Sequence, residues 1–121
     1  MIVDTNIVID FLRGKTEAGA FLFGGDTPIS ISVISITELL AGIKQQREID
    51  DIHDLLATFT VHPVTREIAE KAGELLHKYD KSHHIGIADA LIAATSVYHS
   101  EPLSTLNIKD FPMLDGVSKP Y

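Results

Sequence analysis

Residues 2–14 read Ile-Val-Asp-Thr-Asn-Ile-Val-Ile-Asp-Phe-Leu-Arg-Gly, and the change of rhythm inside this stretch sets the fold. Ile2, Val3 and Asp4 look like a short buried strand, because β-branched side chains pack well on a pleated surface. From Asn6 or Ile7 the period turns helical, with Val8, Phe11 and Leu12 on one side and Gly14 as the stop. A strand that ends on a carboxylate and runs straight into a helix is the opening unit of a strand–helix alternation.

The rest of the chain continues that alternation. A second helix is expected around 16–23, where Ala18, Phe21 and Leu22 line up, followed by the turn cluster Gly24-Gly25-Asp26-Thr27-Pro28. Ile29 and Ile31 then alternate with serines as a half-buried strand. From about residue 35 a helical face forms from Ile36, Leu39, Leu40 and Ile43, and 48–58 repeats it with Ile49, Ile52, Leu55 and Leu56. Val61 and Val64 suggest a strand, with Pro63 marking an edge or an end. Thr65 caps a helix faced by Ile68, Ala72, Leu75 and Leu76. Another helix runs from near Ile87 to His99, Leu103–Leu106 is a strand, and Val117 belongs to a last one. Such an order favours an α/β fold with a parallel sheet and helices on both faces. Ligands then bind beyond the carboxyl ends of the strands, where Asp4 and Asn107 both fall.

The chain has 121 residues, the size of one ordinary domain, and residues 1–121 are read as a single unit without linkers or repeats. It has no cysteine, which excludes disulfides and thiolate metal sites. No basic leader or long apolar run is visible, so neither a signal peptide nor a membrane span is expected and the cytoplasm is the default compartment. A formal charge of −7 argues against coating nucleic acid through bulk charge. A polyanion can still be handled where bound cations and local basic residues reverse the sign.

Three carboxylates stand out. Asp4 either caps the helix after it or serves a site at the strand end. Glu38, in Ile36-Thr37-Glu38-Leu39-Leu40, reads either as a first-turn residue complementing the helix dipole or as a site residue. Asp89 sits among Ile87, Ala88, Ala90, Leu91 and Ile92, where burying a lone charge costs several kcal/mol, roughly the effective penalty for an ion.

These residues carry a resemblance. Asp4-Thr5-Asn6 after a first strand resembles the opening of the PIN-domain nucleases. Thr37-Glu38-Leu39 with Gly42 is similar to that family's second motif. Asp89-Ala90-Leu91-Ile92-Ala93-Ala94-Thr95 resembles the third, and Leu103-Ser104-Thr105-Leu106-Asn107 with Lys109-Asp110-Phe111 the fourth. The four occur in order and span nearly the whole chain. They look most like the VapC-type toxins, the ribonucleases of toxin–antitoxin pairs. The resemblance implies a three-layer α/β/α domain around a mainly parallel sheet. It also implies an endoribonuclease that hydrolyses RNA, an antitoxin partner that occludes the pocket, and a homodimer. The chain departs from the common pattern at Asn107, where many members carry Asp, so either Asn107 or Asp110 completes the site.

Crowded carboxylates repel unless a cation joins them. All-oxygen donors favour magnesium, with manganese as substitute, over zinc. Asp4 and Asp89 are expected as principal metal ligands. Glu38 binds metal or positions water, Asn107 or Asp110 completes the catalytic set, and Thr5, Asn6, Ser35 and Thr105 orient the ligands. Setting Asp4, Glu38, Asp89 and Asp110 aside moves the formal charge from −7 to −3. Arg13, Lys15, Lys44, Arg47 and Lys109 are candidates for a phosphate-contacting rim or solvated helix ends. His53, His62, His77, His83, His84 and His99 are scattered and read as structural or surface residues, with no zinc site from the His83-His84 pair. A receiver domain needs an acidic pair after the first strand, and a haloacid-dehalogenase phosphatase needs Asp at position 6; the chain offers neither. The remaining alternatives are a housekeeping RNA-processing nuclease of the same family and a catalytically silent metal- or RNA-binding module.

Overall fold

The computed structural model describes the backbone of residues 1–121 and all side chains except those of residues 80–83. Four strands form one parallel sheet: β1 (Ile2–Val3), β2 (Ser30–Ser32), β3 (Thr60–His62) and β4 (Leu103–Ser104). Their spatial order is β3-β2-β1-β4, with Ile2 opposite both Ser30 and Leu103, and Ile31 opposite Val61. Between β1 and β2 lie α1 (Thr5–Leu12) and α2 (Thr16–Phe23). Between β2 and β3 lie α3 (Val33–Ala41) and α4 (Arg47–Leu56), and α5 (Arg66–His83) and α6 (Ile87–His99) precede β4.

The two faces of the sheet hold two separate cores, sorted by the alternation of side chains along a strand. Ile2 points into a cluster with Ile68, Ala72, Ile92, Ala93 and Leu103, under α5 and α6. Val3 and Ile31 point the other way, among Ile7, Val8, Leu22, Leu39 and Ile52 of α1 to α4. The central strand β1 is therefore apolar on both sides despite its shortness, as a parallel strand covered by helices on both faces should be.

The connections create the crevice. The chain steps from β1 outward to β2 and β3, then returns through α5 and α6 to place β4 on the other side of β1. The sheet thus changes direction at β1, and the crevice at such a point opens past the carboxyl ends of β1 and β4. Asp4 and Thr105 are the residues immediately beyond those ends.

Several boundaries differ from expectation. Strand β4 covers only Leu103–Ser104, because Thr105 leaves the sheet to bond Asp4, and Val64 lies outside β3. The expected final strand is reduced to a single parallel bridge between Ser104 and Ser118. Helix α3 starts at Val33, earlier than the apolar period suggests, because the Ser32 hydroxyl accepts from the Ile34 amide as an N-cap. Gly14 does terminate the first helix, with φ +88 and its amide donating to the Phe11 carbonyl. Thr65 caps α5 through the Ile68 amide.

Candidate active site

Asp4 caps the first helix and also bonds across the crevice. One oxygen, Oδ1, accepts from the Thr5 amide at 2.8 Å and caps α1, while Oδ2 accepts from the Thr105 hydroxyl at 2.7 Å across the crevice. The side chain is buried at the switch point of the sheet. Burial raises its pKa above the usual 3.8, the Thr105 and Thr5 hydrogen bonds oppose that, and the charges of Glu38 and Asp110 add to the rise.

Glu38 is not a first-turn residue. With α3 beginning at Val33 it stands in the second turn, and the first turn of α3 contains no acidic side chain. The dipole explanation therefore fails, and Glu38 is held by a different device: the Thr5 hydroxyl donates to its Oε1 at 2.7 Å. Thr5 Oγ1 also lies 2.8 Å from Ser35 Oγ. Threonine has one hydroxyl proton, and the carboxylate can only accept, so the Ser35 hydroxyl donates to Thr5. A short relay, Ser35 to Thr5 to Glu38, fixes the carboxylate while the amide of the same Thr5 fixes Asp4.

Asp89 is in the first turn of α6, half-buried among the apolar residues that seat this helix on the sheet. Its pKa rises from 3.8 to about 6, first through burial and then through the charges of Asp4, Asp110 and Glu38, with no hydrogen-bond donor opposing the rise. Asp110 closes the 3-10 turn Ile108–Asp110, half-buried and within electrostatic reach of both Asp4 and Asp89. Four carboxylates remote in sequence therefore face one space. No three of them bring oxygens within 4.8 Å of one another among the described residues, a spacing that like charges favour and that leaves room for a hydrated ion.

The supporting residues fall where expected around this space. The Asn6 amide nitrogen is 3.4 Å from Thr105 Oγ1, and its Oδ1 accepts weakly from the Leu106 amide. Asn107 is exposed, its own amide donating to Thr105 Oγ1. The basic candidates separate. Arg13 lines a cavity of about 150 Å³ that it shares with Glu38, Glu48 and Asp51, so that Glu38 is the crevice carboxylate it adjoins. Lys109 precedes Asp110 in the 3-10 turn. Lys15 instead reaches Asp10 at 3.7 Å and lies over the Tyr121 ring, which takes it out of the crevice. Lys44, between α3 and α4, and Arg47, the first residue of α4, are exposed.

His62 and His99 stack on each other near Glu101, His53 and His77 are exposed, and the side chain of His83 lies outside the described residues. Glu101, overlooked in the sequence, is a half-buried hub. Its Oε2 accepts from the Ser30 hydroxyl and the Met1 amine, and its Oε1 lies 2.6 Å from His62 Nε2. A Glu before Pro102 carries no local signal of such a role.

The PIN domain profile matches residues 1–114. Ribonuclease VapC10 of Mycobacterium tuberculosis is 39% identical over the whole of this chain and 92% of its own length. Ribonuclease VapC19 of the same organism is 34% identical over 99% of this chain and 98% of its own. Among solved structures, a toxin-antitoxin complex from Klebsiella pneumoniae contains a chain that superposes with a TM-score of 0.85 at 32% identity, covering 99% of this chain and 97% of that one. The parallel sheet with its flanking helices, the carboxylates at the switch point and these full-length matches lead to one conclusion: the chain belongs to the PIN-domain family.

Proposed function

We propose that this protein is a magnesium-dependent endoribonuclease that hydrolyses RNA phosphodiester bonds as the toxin of a toxin–antitoxin pair. The observation that carries this reading is the convergence of Asp4, Glu38, Asp89 and Asp110 on one crevice, with burial and mutual repulsion raising the pKa of Asp4 and Asp89. A divalent cation relieves that repulsion, and the all-oxygen donor set suits magnesium, or manganese in its place. Asp4, Asp89 and Glu38 are the residues that would hold it. Bound there, it would supply charge stabilisation to a phosphodiester transition state.

The chain's own groups perform the rest. Asp4 is fixed by hydrogen bonds from Thr5 and Thr105, so it needs no reorganisation when substrate arrives. Glu38, aimed by Thr5, positions the attacking water and receives a proton from it as the water oxygen bonds to phosphorus. The P–O bond opposite breaks and its oxygen leaves with a proton from solvent. Asp110, rather than Asn107, completes the acidic set, because Asp110 adds to the field at both aspartates. Arg13 and Lys109 flank the crevice as phosphate contacts; Lys15 does not belong with them.

The VapC ribonucleases and the Klebsiella toxin-antitoxin complex support the toxin assignment and an antitoxin partner for this chain. A homodimer would cover exposed apolar side chains such as Phe23 and Tyr98. No helix among the described residues is long and apolar enough to cross a membrane, and an RNA substrate fits an activity in the cytoplasm. Wild type and Asp4→Asn, expressed in cells, provide the test. Discrete RNA cuts that need magnesium, growth arrest with wild type and neither with Asp4→Asn are expected. RNA cleavage without arrest would point to a housekeeping nuclease, and binding without cleavage to a silent module.

A further inference from the structure

A second set of metal-ligating groups lies away from the carboxylate crevice. His62, His99 and Glu101 are all half-buried, and one ligand atom from each falls within 4.8 Å of the others. Asp89 is in the first turn of α6 and His99 ends it, ten positions apart, which is about 15 Å at the helical rise. The His62 and His99 rings stack with centroids 3.7 Å apart and planes 18° from parallel. His62 is the last residue of the edge strand β3, His99 is in the last turn of α6, and Glu101 leads into β4.

We infer that His62, His99 and Glu101 form a transition-metal site, suited to zinc, that clamps edge strand β3 to the end of α6. Two imidazoles and one carboxylate are a characteristic zinc donor set, unlike the all-oxygen crevice, so the two sites select different cations. Ser30 and the Met1 amine both engage Oε2 of Glu101, leaving Oε1 for the ion and fixing the carboxylate from behind. The ion takes the place of the proton in the 2.6 Å His62 to Glu101 contact.

Ligands on one tetrahedral zinc stand roughly 3.3 Å apart, from bond lengths near 2 Å. The His62 to Glu101 pair, now 2.6 Å apart, must therefore open by about 0.7 Å, and the near-parallel rings must splay so that both imidazole lone pairs meet the ion.

The full chain, titrated with zinc in millimolar magnesium, provides the test, with cobalt as a spectroscopic probe. Expected results are one zinc bound per chain, visible cobalt bands that zinc abolishes, and a raised melting temperature with zinc. His99→Ala and His62→Gln each weaken zinc binding by more than about tenfold, since even outer-shell partners are worth about 10- to 100-fold. Asp89→Asn retains the zinc site, and His99→Ala retains magnesium-dependent RNA cleavage. Circular dichroism confirms that His99→Ala is folded. No zinc binding by wild type, or equal zinc affinity in wild type and His99→Ala, overturns the inference, and neither result bears on the nuclease reading.

Discussion

Replacing Asp89 with Asn should stabilise the metal-free protein while abolishing its activity. The Asp89 carboxyl titrates at about 6 in the fold against 3.8 for the free group. The folded state therefore holds the extra proton between those values. Its contribution to stability is complete below pH 3.8 and is lost as the pH rises through 6, after which the ionised group is a constant penalty. A shift of about two pK units corresponds to about 3 kcal/mol. Asp89 is only half-buried, so solvent screening reduces this to about 1–2 kcal/mol. Asn keeps the shape and cannot ionise. For a chain of this size the gain amounts to a melting temperature higher by roughly 5 °C near neutral pH. Thermal melts in chelator measure it directly, at neutral pH and again well below the Asp89 titration, where the two proteins should converge. Magnesium should then raise wild type and leave Asp89→Asn nearly unmoved. A variant no more stable than wild type at neutral pH, or a gap that persists at low pH, would refute the idea that this carboxylate sits in a repulsive pocket awaiting a cation.

Three further outcomes follow from the same geometry. Thr5→Val, which keeps the buried shape but removes the hydroxyl from Glu38 and Ser35, should lower RNA cleavage about tenfold for roughly 1 kcal/mol of stability, read by initial rates and melting. Asp110→Asn should reduce cleavage far more than Asn107→Ala, because only Asp110 adds charge to the field at Asp4 and Asp89; equal losses would reassign the fourth position. Arg13→Glu should weaken RNA binding at low salt with a shallower salt dependence, whereas Lys15→Glu should leave binding close to wild type because Lys15 is engaged by Asp10 and Tyr121.

The site was legible in the sequence where a carboxylate stood out against its surroundings. Asp4 after two β-branched residues and Asp89 inside an apolar helix are costly placements, and both proved to share one crevice. Glu38 was legible as a candidate but not as a position, since the apolar period hid the Ser32 cap that starts α3 earlier and moves Glu38 out of the first turn. The rim was only half legible: Arg13 and Lys15 are two residues apart in sequence, yet one lines the cavity beside Glu38 and the other turns to Asp10.

Sequence alone determined the layered architecture, because hydrophobic period is local: two-residue alternation sends Ile2 and Val3 to opposite cores, and helical period supplies the faces that cover them. It also determined the oxygen-rich chemistry of the crevice, since side-chain type needs no coordinates. Only the tertiary structure decided which groups meet. The choice of Asp110 as the fourth carboxylate, the Ser35–Thr5–Glu38 relay and the His62–His99–Glu101 cluster all join residues from different elements. Such contacts depend on strand order, cap position and rotamer, and a one-residue shift in where a helix begins turns a side chain by about 100°.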